Sequence, residues 1–147
     1  MALLLLIRHG ENDYTKKHKL AGHLPNVRLN ERGQKQAKDL ADALKDVPIK
    51  AIYSSPLERA RETAAPIAAA GNLKVQVEAG LIETNVGKWQ GRSLAALRLN
   101  KHWKVVQHAP SRAQFPGGET FYECQSRTVA ALDKIIRSHK PRDIIAC

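Results

Sequence analysis

A chain of 147 residues matches one ordinary domain and can bury a core without disulfide or metal staples. Hydrophobic residues at 43% and charged residues at 26% exclude the composition of a disordered chain. Lys and Arg number 24 against 14 Asp and Glu, a net +10 that favours anionic partners (phosphorylated metabolites, nucleic acid or an acidic surface) and says nothing about the fold.

The apolar run Ala2–Ile7 reads as a buried strand. It is too short to span a membrane, and Arg8 and His9 follow it in place of a signal-peptide cleavage site. Arg8-His9-Gly10 then stands at the carboxyl end of this strand. Leu20 to Leu29 is loop, punctuated by Gly22, Pro25 and Asn26. Asn30 caps a helix to about Lys45, with Ala37, Leu40, Ala41 and Leu44 on one face. Ala51-Ile52-Tyr53 is a second short strand. Ser55-Pro56-Leu57-Glu58 has the form of a capping box with proline at the first helical position, opening a helix toward Ala70 with a kink at Pro66.

Leu73 to Val77 alternates as a strand, and Gly80 to Gly91 is glycine-punctuated loop. Ser93 to Val106 reads as one helix and Pro110 to Gly118 as loop. Thr120-Phe121-Tyr122-Glu123 is another capping box, opening a long helix with Phe121, Thr128, Leu132, Ile135 and Ile136 on or near one face. Asp143 to Cys147 is a last apolar strand. Strands alternating with helices imply an α/β layer fold with a mainly parallel sheet, whose ligands bind outside the carboxyl ends of the strands. Cys124 and Cys147 have no metal-ligand spacing, so neither a disulfide framework nor a zinc site is expected, and a cytoplasmic location is the expectation.

Three features carry chemistry, and each has a plain alternative when taken alone. His9 at a strand end is a candidate nucleophile, kept neutral by neighbouring cations; the alternative is a strand-end histidine beside a solvated arginine. Arg59 and Arg61 at a helix start suit a bound phosphate; the alternative is an arginine paired with a glutamate one turn away. Glu83, followed by Gly87 and Gly91, can donate a proton to a leaving alkoxide if a phosphate dianion raises its pKa; the alternative is an ordinary loop glutamate. His18, His23, His102, His108 and His139 share no ligand spacing and read as surface or packing residues. No Walker loop, G-x-G-x-x-G or G-x-S-x-G motif occurs.

The ordered set Ile7-Arg8-His9-Gly10-Glu11, Ser54-Ser55-Pro56-Leu57-Glu58-Arg59-Ala60 with Glu62-Thr63-Ala64, and Leu81-Ile82-Glu83 with Gly87 and Gly91 resembles the histidine phosphatase superfamily, which includes cofactor-dependent phosphoglycerate mutases. Pro116-Gly117-Gly118-Glu119-Thr120 is similar to its phosphatase members, and order and spacing match from residue 3 onward. The resemblance implies a three-layer αβα phosphoglycerate mutase-like domain over 1–147, with its C-terminal part missing. It further implies that His9 becomes a phosphohistidine, that Arg8 and Arg59 clamp the phosphoryl group, and that Glu83 protonates the leaving group and then activates water. Arg8, Gly10, Asn12, Thr15, Gly22 and Arg59 are the implied phosphate or substrate contacts, with no metal and no cofactor.

Three departures stand out. Thr15 replaces a common asparagine, and Ala21 replaces a common glutamine before Gly22. The family's second histidine, expected just past the Asp143–Cys147 strand, is absent. The expectation is a phosphomonoester phosphatase acting on a phosphorylated small molecule, with activity impaired by truncation. A mutase or a non-catalytic phosphate-binding remnant is the alternative; the short stretch between Gly87 and Gly118 favours phosphatase over mutase. No membrane partner is expected. Nucleic acid is disfavoured because aromatics are only 5% and do not interleave a basic strand. Substrate and oligomeric state stay open.

Overall fold

The computed structural model describes residues 1–147. Its four strands are β1 (Leu3–Leu5), β2 (Ile49–Ser54), β3 (Val75–Val77) and β4 (Ile144–Ala146). They form one sheet in the order β1-β4-β2-β3, and every pairing is parallel. The helices are α1 (Asp13–Lys16), α2 (Glu31–Leu44), α3 (Glu58–Ala70), α4 (Leu94–Arg98), α5 (Lys101–His108) and α6 (Phe121–Arg137).

Connection handedness explains the layers. The chain steps from β1 over the β4 position to β2 and on to β3, which puts α2 and α3 on one face. It then turns back to β4, and a crossover of the same hand puts α6 on the opposite face. The packing agrees. Ala41 of α2 and Ala64, Ile67 and Ala68 of α3 bury against Ile52 and Ala146. Ile135 of α6 buries against Ala51 and Ile145, whose side chains alternate to the other face. This is the expected three-layer αβα arrangement. No helix is long and apolar enough to cross a membrane.

The excursion between β3 and α6 has its own small core of Val86, Trp89, Leu97 and Phe115, flanked by Trp103 and Phe121. Its rings meet edge to face: Trp89 on Phe115 at 5.5 Å, and Phe115 on Phe121 at 5.3 Å.

Four local expectations need correction. The first strand is shorter than Ala2–Ile7 and is not fully buried: Leu3 is 55% and Leu6 70% exposed. As the edge strand, β1 has only β4 beside it, and the helices centre on β2 and β4. Ser55 is not the cap of α3. The N-cap is Leu57, without a side-chain bond, because Ser55 Oγ accepts from the Leu57 N–H in the turn before the helix. Ser93 to Val106 is two helices, since Asn100 breaks the run and recaps it by accepting from the His102 N–H. The Gly80–Gly91 and Pro110–Gly118 loops contain short 3₁₀ turns at Ala79–Leu81, Gly87–Trp89 and Pro110–Arg112.

Candidate active site

Arg8 and His9 leave the end of β1, and a hydrogen-bond chain fixes the backbone at Gly10. The Gly10 N–H donates to Thr63 Oγ1 at 3.0 Å, and that hydroxyl donates to the Arg59 carbonyl at 2.8 Å. The turn after the histidine is thereby tied to the first turn of α3. Gly10 also lies against α2: a Cβ there would stand 2.7 Å from the Gly33 carbonyl oxygen, so only glycine fits.

His9 Nδ1–H donates to the Gly10 carbonyl at 2.8 Å. A carbonyl only accepts, so the proton sits on Nδ1 and Nε2 keeps its lone pair. Burial lowers the His9 pKa, and Arg59 and Arg8 push the same way against the Gly10 bond and Glu83. The ring is therefore held neutral.

Arg59 is 1% exposed. It forms no ion pair with Glu58 or Glu62; Glu62 binds Arg28 and the Leu29 N–H instead. One guanidinium nitrogen donates to the Gly22 carbonyl at 2.9 Å, and Nε and Nη1 are buried without partners. Desolvation lowers the Arg59 pKa. A buried guanidinium with open donors calls for an anion. Gly22 meets it with φ +50°, packed against Val86 and Gln90. Arg8 also makes no ion pair.

Glu83 is exposed and accepts from the Thr84 N–H at 2.8 Å. Its loop is clamped from outside. Arg127 donates to the carbonyls of Gly80 (3.0 Å), Ile82 (2.7 Å) and Glu83 (3.0 Å), and grips Glu119 with two further N–H groups at 3.0 and 2.7 Å. Glu119 in turn accepts from the Asn85 N–H at 2.7 Å. Gly118 sits so close to that strand of loop that a Cβ would lie 2.1 Å from the Asn85 carbonyl oxygen. His23 Nε2–H donates to the Glu83 carbonyl as well.

Arg8, His9, Arg59 and Glu83 line one cavity of about 300 Å³ with Asn12, Thr15 and Gly22. A larger cavity of about 550 Å³ shares the same four residues and continues along Ile52, Ile67 and Ala146. Asn12 is fully buried; its Oδ1 caps α1 through the Tyr14 and Thr15 N–H groups, and its Nδ2 is unpartnered. Thr15 lines the cavity, but its hydroxyl is engaged by the Asn12 backbone N–H and carbonyl. No group of three or more His, Cys, Asp or Glu side chains is placed to hold a metal.

Seven of the residues singled out from sequence line the smaller cavity, with Gly10 turning the backbone beside them; Arg61, also a phosphate candidate, is exposed and lines neither cavity. Sequence reasoning missed Thr63, Arg127 and Glu119 as supports, and read His23 as surface or packing. Two local signals bore on them: Glu62-Thr63-Ala64, whose Thr63 ties Gly10 to α3, and Pro116-Gly117-Gly118-Glu119-Thr120, which the Glu119–Arg127 pair accounts for.

Residues 4–147 match the model of the histidine phosphatase superfamily (branch 1). The phosphoserine phosphatase 1 of Hydrogenobacter thermophilus is 33% identical over 99% of this chain and 69% of its own length. A 2,3-bisphosphoglycerate-dependent phosphoglycerate mutase of Thermoplasma acidophilum is 44% identical over 63% of this chain, but over only 46% of its own. The solved phosphoserine phosphatase from Entamoeba histolytica, in complex with 3-phosphoglyceric acid, superposes with a TM-score of 0.88 at 27% identity, covering 99% of this chain and 73% of that one. The chain therefore spans between 46% and 73% of the length of these relatives. It belongs to the histidine phosphatase superfamily.

Proposed function

From that membership and the site geometry, we propose that this chain carries the site of a phosphomonoester phosphatase working through a phosphohistidine on His9. The observation that carries the reading is the buried, unpaired Arg59, with open donors in the cavity that the neutral His9 lines. His9 Nε2 attacks phosphorus while the bond to the leaving oxygen breaks. Glu83, as general acid, gives a proton to that oxygen. The resulting Glu83 carboxylate then takes a proton from water, whose oxygen attacks phosphorus and breaks the N–P bond. Arg8 and Arg59 hold the three equatorial oxygens and offset the charge they gather. Asn12 Nδ2 and the Gly10 and Gly22 turns complete the cradle. Thr15 shapes it through Asn12.

The test is phosphate release from an aryl phosphate in excess chelator by the chain and its His9→Ala variant, with acid-quench trapping of a phosphoenzyme. His9→Ala should lose at least about 10³-fold in kcat/KM and form no acid-labile phosphoenzyme. Full activity of a folded His9→Ala would overturn the reading. Isomerisation of 3-phosphoglycerate outrunning phosphate release would replace it with mutase chemistry on the same residues. Phosphate binding without turnover would leave a binding remnant.

A further inference from the structure

We propose that the cavity of about 300 Å³ is the leaving-group site for phosphomonoesters with an apolar alkyl or aryl body, and that it disfavours short carboxylated esters. This rests on the phosphatase reading and names its substrate class. The catalytic end holds Arg8, His9, Arg59 and Glu83. Beyond it, the wall is Leu20, Val86, Trp103, Val106, Phe115 and Phe121, all from or packed on the separate small core between β3 and α6. The only other cation on the wall is Lys19. A three-carbon carboxylate would lose hydration against aromatic rings with one exposed lysine to meet it. An apolar body gains by burial there. The volume lies within the range of small-molecule sites.

Of the buried unpartnered donors on this cavity, Asn12 Nδ2 and Arg59 belong to its phosphoryl end; in the apolar wall only Trp103 Nε1 lacks a protein partner, so the space there is not closed by protein packing. In the larger cavity the only buried polar side chain with unpartnered atoms is Arg59, which both cavities share.

Binding and turnover test this separately. Methyl-, butyl- and hexylphosphonate are titrated by calorimetry, and ethyl, butyl and hexyl phosphate are compared by kcat/KM, because their alcohols leave with similar difficulty. Affinity and kcat/KM should rise about three- to fourfold per methylene until the wall is covered. Val106→Asn should flatten the slope, whereas Leu132→Asn, in the larger cavity, should not. Methylphosphonate binding with a flat series would overturn the substrate class and leave the phosphatase reading intact. A slope abolished by Leu132→Asn alone would place the body in the other cavity and overturn the proposal. No phosphonate binding and no hydrolysis would overturn both readings.

Discussion

Replacing Arg127 with methionine keeps most of the side-chain length and removes the clamp on the Glu83 loop. Arg127 makes two bonds to Glu119 and three to the carbonyls of Gly80, Ile82 and Glu83. The Arg127 and Glu119 side chains are 25% and 15% exposed, so water replaces only part of what is lost. Removing one partner of a fully buried pair costs about 3–5 kcal/mol, and the partial exposure places this site at about 3. The effect on chemistry is separable. A general acid displaced by about 1 Å loses about 10²-fold, within the 10²–10⁴ that such an acid supplies. That loss falls only on leaving groups that need a proton. Arg127→Met should therefore lower kcat/KM for an alkyl phosphate about 100-fold. For 2,4-dinitrophenyl phosphate, whose phenolate leaves unprotonated, the change should stay within about threefold. Glu119→Gln should show the same split to a lesser degree. Equal losses on both esters, in protein shown to be folded by near-UV circular dichroism, would show that Arg127 is structural mortar and has no bearing on Glu83.

The pH profile and three stability measurements probe the neighbouring contacts. Because burial and Arg59 hold the His9 pKa down, the acid limb of kcat/KM should have its midpoint below the ordinary histidine value of 6.5. Arg59→Gln should move the midpoint to higher pH as the repelling charge goes; a downward move would contradict the assigned cause. Gly10→Ala should destabilise by about 1–3 kcal/mol in urea melts and lower kcat, since its Cβ meets the Gly33 backbone, which has no rotamer to yield. Unchanged melts would refute that contact. Thr63→Val should cost about 1–3 kcal/mol by leaving the part-buried Gly10 N–H without its acceptor, again read by denaturant titration. Thr120→Ala should remove about 1 kcal/mol from α6 by opening its capping box, with kcat unchanged.

Much of this was legible in the residues because the determinants are local. Asn30 and Thr120 cap α2 and α6 as their side chains dictate. The apolar runs become parallel strands, and Arg8-His9-Gly10 falls where an α/β sheet places ligands. What stayed hidden depends on tertiary contact. Nothing in Glu58-Arg59-Ala60-Arg61-Glu62 says that Arg59 turns inward without a carboxylate while Glu62 serves Arg28 and Leu29. Arg127 meets Glu83 across 44 residues, a separation that no helical periodicity encodes. Ser55 failed as a cap because its hydroxyl is engaged by the Leu57 N–H in a turn that precedes the helix, two residues before the N-cap at Leu57. Asn100 divided an apolar-periodic stretch because a good cap competes with helix continuation.

The pairing of β1 has a consequence for the order of events during folding. Leu3–Leu5 pair only with Ile144–Ala146. The strand that delivers the histidine therefore has no sheet neighbour until residues near 145 have been made and have docked. Such a long closure is entropically late, while α2, α3 and β2–β3 can assemble from nearer contacts. During synthesis the nucleophile should reach its place only after the residues of β4 have emerged, with the exposed Leu3 and Leu6 in the interval open to chaperones. Amides of β1 should then exchange faster in native-state hydrogen exchange than those of β4, which β2 pairs from its other side.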